Sequence, residues 1–310
     1  MGACGSAEEQ PGQTFFLMGL RLVKKAPGTS SEAIERQMEA VTWFSRAHEA
    51  GHNDAARGAA AVFQFLSKNV DEERYGPDCV KWLTKAADRG NQSCMMYLAQ
   101  LHDRGDLGLE HNAEEAFKWY LTAAQAGCTE AYCPVGYCYS NADGVKGDPS
   151  QAIYWYEKSA NAGDEAGMIN LANFYVRINE FKTAMQWYKR AFEAGEVRGA
   201  VLYAETERKQ NVFNSFASGG ELELPSSSKT AVDMLVKAAK AGETEAMFFL
   251  GTLYEGGKGV KKDTETAVEL YRAAASRGHA DAKSKLSKLG LKITFGAGGV
   301  VSAAHVLNAC

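Results

Sequence analysis

A glycine that returns about every 36 residues constrains this chain more than any other feature. All five tryptophans stand eight residues before one of these glycines, and Met234 and Leu270 take the place of tryptophan before the last two. Successive glycines are 39, 37, 36, 32, 47 and 36 residues apart. The seven positions are Gly51, Gly90, Gly127, Gly163, Gly195, Gly242 and Gly278. A period of this length predicts stacked helix pairs, because one pair alone cannot bury its apolar face.

The residues before each glycine predict a helix, which we call helix B. Small residues stand eleven and four positions before the glycine, as Ala116 and Ala123 do before Gly127, and Trp119 stands between them at position −8. These positions share one helical face, so the small residues would admit a neighbouring helix and the large one would fill the groove beside it. The glycine supplies a left-handed end to the helix. We expect Trp119→Ala to cost about 3–5 kcal/mol, among the largest effects in the chain.

A second helix, helix A, is predicted after each glycine. Small or apolar residues recur at positions +4 and +8, as Cys94 and Leu98 do after Gly90, and define its packing face. Positions +7, +10 and +14 form an adjacent stripe, where amide, aromatic and arginine side chains are suited to hold an extended peptide and a carboxylate. The candidate partner-binding residues of this stripe are Tyr97, Gln100, Arg104, Tyr137, Asn141, Asn170, Asn173 and Arg177. The alternative is a solvated face that binds nothing. If the stripe binds, the double change Asn170→Ala, Asn173→Ala should weaken binding without lowering the melting temperature.

The repeats predict an all-α fold, a right-handed solenoid of seven antiparallel helix pairs with a C-terminal half-unit at residues 281–289. Each repeat touches only its neighbours, which favours one elongated domain over two globular ones. We therefore divide the chain into a flexible N-terminal segment at residues 1–13, the solenoid at 14–289 and an apolar tail at 290–310.

Two segments depart from the repeat pattern. In the sixth repeat, residues 211–228 form an insertion rich in Ser and Gly that predicts a mobile surface loop. The 290–310 tail has no charged side chain after Lys292. Such a tail fits a strap that covers the solenoid, a disordered end or a membrane contact.

Composition and charge narrow the function classes. The net charge is −4 and the basic residues form no stripe, which argues against nucleic-acid binding. Seven cysteines without a repeating spacing argue against a secreted disulfide framework and favour a reducing compartment. Cys128, Cys133 and Cys138 are each separated by about 140° around a helix, so they predict small core thiols and not a shared ligand set. His48 and His52 flank the end of a helix with no third ligand nearby, and no metal or cofactor is predicted.

The first residues of the chain resemble an acylation signal. Gly2 and Ser6 fit the N-myristoylation pattern, and Cys4 stands where a palmitate is often added. Glu8 and Glu9 argue against a secretory signal, which has a basic start. One myristoyl chain gives only reversible binding, so stable anchoring needs the second lipid. The sequence thus predicts attachment to the cytoplasmic face of a membrane, and the alternative is a flexible tail with a chance match.

The seventh repeat carries the fullest version of a known motif. The pattern resembles the Sel-one-like repeat family, a relative of tetratricopeptide repeats, and the resemblance extends over residues 14–289. The matching positions are Leu250, Gly251, Tyr254, Gly257, Gly259, Val260, Asp263, Ala267, Tyr271, Ala274, Ala275 and Gly278. The resemblance implies an adaptor that assembles membrane-associated complexes, degradation assemblies or activated enzymes. The chain lacks the regular cysteine pair of the cysteine-rich bacterial members, so their disulfide-stapled character is not implied.

These observations favour a binding function over catalysis. The repeats leave no independent catalytic domain, and scaffolds of this kind bind partners on extended concave surfaces. We expect a non-catalytic adaptor that holds a peptide or protein partner on its concave helix-A face, without a cofactor. The first alternative is a regulatory or activator subunit of a membrane-associated enzyme complex. The second is a hydrolase-type enzyme with its catalytic group in the insertion or the tail.

Overall fold

The structure is a computed structural model that describes residues 12–218 and 227–291. Over those residues it contains fifteen α-helices and no strand, so the predicted all-α class and the seven helix pairs with a final half-unit are confirmed. The helices are α1 Gln13–Lys25, α2 Ser31–Glu49, α3 Ala55–Asn69, α4 Glu72–Asp88, α5 Gln92–Arg104, α6 Ala113–Gln125, α7 Tyr132–Asn141, α8 Pro149–Asn161, α9 Glu165–Arg177, α10 Phe181–Ala194, α11 Gly199–Ser218, α12 Lys229–Ala241, α13 Thr244–Gly256, α14 Thr264–Ser276 and α15 Ala280–Lys288. Odd-numbered helices up to α13 are helix A of a repeat, even-numbered helices are helix B, and α15 is the half-unit. Gly2, Cys4 and residues 292–310 lie outside the described residues.

The chain divides into two compact units, Met1–Trp155 and Tyr156–Cys310, and the boundary falls within α8. In the N-terminal unit one continuous core runs from α2 to Trp155. In the C-terminal unit a core joins α11 to α15, and a smaller cluster around Tyr188 joins α9 and α10. None of the helices within the described ranges is both long enough and apolar enough to cross a membrane.

Polar side chains cap the N-termini of several helices. Ser30, immediately before α2, accepts a hydrogen bond from the Ala33 amide at 3.2 Å. The N-terminal amides of the helix lack partners within the helix, and the cap oxygen satisfies one of them. Asp148 does the same before α8 and Asp263 before α14. Asn112 also caps its helix.

All seven repeat glycines adopt the left-handed conformation predicted for them, with φ between 88° and 119°.

The small residues at positions −11 and −4 are buried in every repeat, which confirms the small-residue face of helix B. The large residue at position −8 is buried in four repeats, as Trp82, Trp155, Met234 and Leu270, and half-buried in the other three. Trp119 is only half-buried, whereas the adjacent Tyr120 at position −7 is 8% exposed. Position −7 is buried in all seven repeats, by Phe44, Leu83, Tyr120, Tyr156, Tyr188, Leu235 and Tyr271.

The joint between α8 and α9 is built differently from the others. Position −4 is alanine in six repeats and Ser159 here, while position +4 is Gly167 where most repeats have alanine. A Cβ atom on Gly167 would lie 2.6 Å from the Cβ of Ser159, closer than two carbon atoms can approach. The serine hydroxyl donates to Asp164, whose carboxylate caps α9. The two helices therefore approach so closely here that position +4 has no room for a side chain.

The insertion of the sixth repeat begins later than the sequence predicts. The first eight residues of the loop expected at 211–228 are helical, because α11 continues through Ser218 and has 20 residues where α9 and α13 have 13. The extension has a tertiary cause. Phe213 packs edge-on against Phe181 of α10, with ring centroids 5.7 Å apart. The composition of the segment favours a loop, but this aromatic contact stabilises the additional helical turns.

Candidate partner-binding surfaces

The stripe residues of α5 lie along one open cavity of the N-terminal unit. Tyr97 and Gln100 both line this cavity, whose volume is about 420 Å³. Burial raises the pKa of the half-buried Tyr97 hydroxyl, which also forms a hydrogen bond with the side chain of Gln64. The other lining residues are Gln92, Ser93, Met96, Cys128 and Glu130. Arg104 is exposed at the C-terminal end of the same helix. The cavity thus combines an aromatic ring, a carboxamide and a carboxylate.

The stripe residues of α7 and α9 differ from one another in exposure and in their contacts. Tyr137 is 52% exposed, and its carbonyl accepts a hydrogen bond of 3.1 Å from the Asn141 side chain. On α9 in the C-terminal unit, the guanidinium of Arg177 lies 5.2 Å from the ring centroid of Phe174. Asn173 accepts a hydrogen bond from the buried Tyr188, and Asn170 is half-buried. Part of the predicted stripe therefore also belongs to the packing of the helix pair, and its role in binding stays a prediction.

A second surface, which the sequence does not predict, lies in the C-terminal unit. We call it the α11 groove. It has a volume of about 590 Å³ and is open to solvent at the exposed Phe213. Its lining residues are Val176, Asn179, Phe181, Arg208, Lys209, Val212 and Phe213. The only signal for it in the sequence is an aromatic residue within a polar insertion.

A third cavity of about 310 Å³ lies in the N-terminal unit and is lined mainly by apolar side chains of α1, α2 and α3. Phe44 and Val62 form part of its wall. Gln37 also contributes, and its Nε2 donates to the carbonyls of Ala26 and Gly28 at 2.8 and 3.2 Å. Two carbonyl acceptors fix the orientation of the carboxamide, so Gln37 ties the α1–α2 connection to α2.

His52, Cys79 and Cys138 have structural roles in the folded chain. His52 is 2% exposed, and its Nδ1 accepts from the Asp54 amide while Nε2 lies 2.8 Å from Oε1 of Gln13. Since Nδ1 is an acceptor, Nε2 carries the proton and donates to Gln13. Burial raises the pKa of Cys79 and Cys138 to about 12, so both thiols are protonated at neutral pH. In the described ranges no three histidine, cysteine or acidic residues are grouped as a metal site would require.

The repeats match a known family. A family model described as the Sel1 repeat matches residues 71–91, 92–128, 129–164, 168–196 and 244–279, which together make up just over half of the chain. The chain belongs to the Sel1 repeat family. Four of the matched Sel1 repeats coincide with α5–α6, α7–α8, α9–α10 and α13–α14, and the fifth match with α4. The resemblance inferred from the motif in the seventh repeat is thereby confirmed.

Similar proteins include regulators and solved Sel1 structures. This Sel1 repeat chain is 27% identical over 217 residues to chitin synthase regulatory factor 3 of Schizosaccharomyces pombe, covering 68% of the chain and 19% of that protein. It is 25% identical over 212 residues to chitin synthase regulator SKT5 of Saccharomyces cerevisiae, covering 67% and 25%. It thus spans a quarter or less of these two relatives. A Sel1 repeat protein from Oxalobacter formigenes has a similar structure, with 25% identity, a TM-score of 0.53 and coverage of 80% of this chain and 95% of that one.

Proposed function

We propose that this Sel1 repeat chain is a non-catalytic adaptor that binds a peptide or protein partner through the helix-A stripe. The observation that supports this most is the cavity beside α5, where Tyr97 and Gln100 stand together with Glu130. Aromatic and carboxamide side chains are suited to a peptide, because the ring supplies contact area and the amide pairs with main-chain groups. Arg104 is exposed at the end of the same helix, and its guanidinium is suited to bind a carboxylate.

The partner we propose is a membrane-associated enzyme that the chain regulates. The support is that two relatives are named as regulators of chitin synthase. We further propose that acylation of Gly2 and Cys4 holds the chain at the cytoplasmic face of a membrane. Both proposals concern properties other than the repeats that the chain shares with these relatives.

Proximity labelling in the native cell tests the adaptor function. The wild-type chain is compared with the double variant Gln100→Ala, Arg104→Glu on α5. The matched control is Lys81→Glu on α4, an exposed residue outside the predicted stripe that undergoes the same change of charge as Arg104. We expect the double variant to lose a partner protein that the wild type and the control both label. Equal labelling by all three chains would remove the α5 stripe as the binding surface.

A further inference from the structure

The α11 groove combines apolar walls with two basic side chains. Both charged residues that line it are basic, Arg208 and Lys209, and both are exposed. Within the described parts of the chain, neither lies within ion-pair distance of a carboxylate. The guanidinium of Arg208 lies 5.9 Å from the ring centroid of Phe249, and the neighbouring Glu207 accepts a hydrogen bond from the Ser228 amide. The groove therefore presents two positive charges to whatever enters it.

The apolar part of the groove consists of an exposed aromatic ring that rests on a buried one. Phe213 is 51% exposed, while Phe181 beneath it is 8% exposed. Solvent thus reaches the outer ring, and the edge-on contact between the two rings holds that ring in place. Val176 and Val212 complete a surface suited to one large apolar side chain. An exposed aromatic ring already fixed by packing loses little conformational entropy when a partner covers it.

The turn between α9 and α10 adds a polar edge. Asn179 lines the groove with φ of 63°, a left-handed conformation that asparagine tolerates better than most residues. Its backbone amide donates to the Val176 carbonyl at 3.1 Å, which fixes the turn. Its side chain forms no hydrogen bond with the described residues, so both donors and the acceptor of the carboxamide are available to a main chain.

We propose that the α11 groove binds a linear acidic peptide of a partner protein, in which a Phe, Trp or Leu side chain is flanked by Asp or Glu. The apolar side chain packs on Phe213 and Val212, the carboxylates contact Arg208 and Lys209, and Asn179 pairs with the peptide backbone. Charge complementarity selects this occupant, because an acidic peptide satisfies both cations while its apolar residue covers the exposed ring. An anionic membrane fits less well, since two cations in a concave groove beside Glu207 do not form a polybasic surface.

This surface differs from the one in the proposed function and does not depend on it. The groove lies between the α9–α10 turn and the extension of α11, and none of the eight candidate stripe residues lines it. Lys209 stands at position +14 of the sixth repeat, where the stripe positions reach the edge of the groove. Among the helices A that the structure describes, only α11 has this extension, with 20 residues where α9 and α13 have 13. The groove would thus give this chain a specificity that the repeated part of the fold does not supply.

Fluorescence anisotropy with labelled peptides tests the proposal. The probes are about twelve residues long and place one Phe, Trp or Leu among Asp and Glu at varied spacing, and each has a twin with Asn and Gln in place of the acids. We expect at least one acidic probe to bind the full chain, its neutral twin to bind at least about 10-fold more weakly, and higher salt to weaken the acidic probe.

Variants locate the binding site of that probe. Arg208→Glu, Lys209→Glu should reduce its affinity by about 10-fold or more, and Phe213→Ala by a similar factor. The control Lys283→Glu changes an exposed residue of α15 and should bind as the wild type does. Circular dichroism melts of each variant establish that it is folded, and Phe213→Leu should restore part of the affinity lost in Phe213→Ala.

Three results would overturn the proposal. One is that no acidic probe binds, and another is that the acidic probe binds the Arg208→Glu, Lys209→Glu chain as well as it binds the wild type. The third is that vesicles of phosphatidylserine and phosphatidylcholine bind through Arg208 and Lys209 and the peptide does not compete with them. Loss of binding by stripe variants alone would support the helix-A stripe and count against the α11 groove.

Discussion

The hydroxyl of Tyr188 donates a hydrogen bond of 2.5 Å to Oδ1 of Asn173, which joins α10 to α9. Tyr188 is 2% exposed, and its hydroxyl also forms a hydrogen bond with the side chain of Thr206 on α11. Burial raises the pKa of this phenol to about 12, so it remains a neutral donor. Tyr188 thus connects three successive helices. Asn173, which the sequence predicts to bind a partner protein, also takes part in the packing of the helices.

Truncation of Asn173 should therefore lower stability. We expect Asn173→Ala to reduce the free energy of unfolding by about 1–3 kcal/mol, because the buried Tyr188 hydroxyl loses its acceptor. This differs from the sequence-based expectation that the pair Asn170→Ala, Asn173→Ala leaves the melting temperature unchanged. Urea unfolding measures the effect, and Asn173→Ala on a Tyr188→Phe background supplies the control. Equal costs of Asn173→Ala on both backgrounds would contradict a coupling between the two side chains.

Substitutions of the adjacent residues Trp119 and Tyr120 of helix B should differ in their cost to stability. We expect Tyr120→Ala to cost about 3–5 kcal/mol and Trp119→Ala less, because Tyr120 is buried and Trp119 keeps part of its surface in water. This reverses the importance that the sequence assigns to Trp119. Thermal and urea unfolding of the two single variants provide the comparison. A greater loss of stability in Trp119→Ala would restore the tryptophan as the main packing residue.

Arg89 should contribute more to stability than an ordinary surface arginine. Its guanidinium donates to the carbonyls of His48 and His52 at 2.7 and 3.2 Å, at the end of α2. Carbonyls at a helix C-terminus lack partners within the helix, and a cation there also interacts favourably with the helix dipole. We expect Arg89→Ala to cost about 1–3 kcal/mol in urea unfolding.

The control for Arg89 is Arg36, which forms an exposed ion pair with Glu32 within α2. Such surface pairs contribute about 0–1 kcal/mol, so Arg36→Ala should change stability little. Arg277 occupies the position equivalent to Arg89 in the last repeat and donates to the carbonyl of Gly242 at 3.3 Å. If Arg89→Ala proved as mild as Arg36→Ala, the joint between the two helix pairs would not depend on these carbonyl contacts.

Stability should fall as the pH drops below about 6.5, the ordinary histidine pKa. Burial lowers the pKa of His52, and burial together with Arg89 and Lys85 lowers that of His48. The unfolded chain therefore takes up protons before the folded chain does, which favours unfolding between the unfolded pKa and the lower folded values. Urea unfolding at pH 7.5 and at lower pH measures the change. A His52→Gln variant should show a weaker pH dependence, and an unchanged dependence would exclude His52 as its source.

Acylation has a direct test in protein from the native cell. Gly2→Ala should release the chain from membranes to the cytosol, and Cys4→Ser should leave it weakly bound, because one acyl chain gives only reversible attachment. Cell fractionation and intact-mass measurement report both properties. Retention of Met1 or an unmodified Gly2 in the wild type would exclude the acyl anchor.

The sequence predicts most of the fold, because each repeat contains the residues that begin and end its helices. Glycine ends helix B in each repeat, and polar residues such as Ser30 and Asp263 cap the helices that follow them. The choice between Trp119 and Tyr120 was not predictable, since both neighbours are aromatic and periodicity alone does not separate adjacent positions. Which of the two is buried depends on contacts with residues that are far away in the chain.

The candidate sites were less predictable than the fold for the same reason. The stripe follows from helical spacing, but the bond between Tyr188 and Asn173 spans fifteen positions and depends on how two helices pack. The α11 groove requires Phe213 to reach Phe181, which no local propensity indicates. Composition favoured a loop there, and tertiary contact overrode it.

The pairing of Ser159 with Gly167 limits how such a chain can be rebuilt from its own modules. Replacing the fourth repeat with a copy of another would bring an alanine at position −4 and remove the hydroxyl that donates to Asp164. Replacing the fifth with a repeat that has alanine at position +4 would force two β-carbons into the same space. The fourth repeat can therefore be followed only by a repeat with glycine at position +4, which in this chain means the fifth or the sixth.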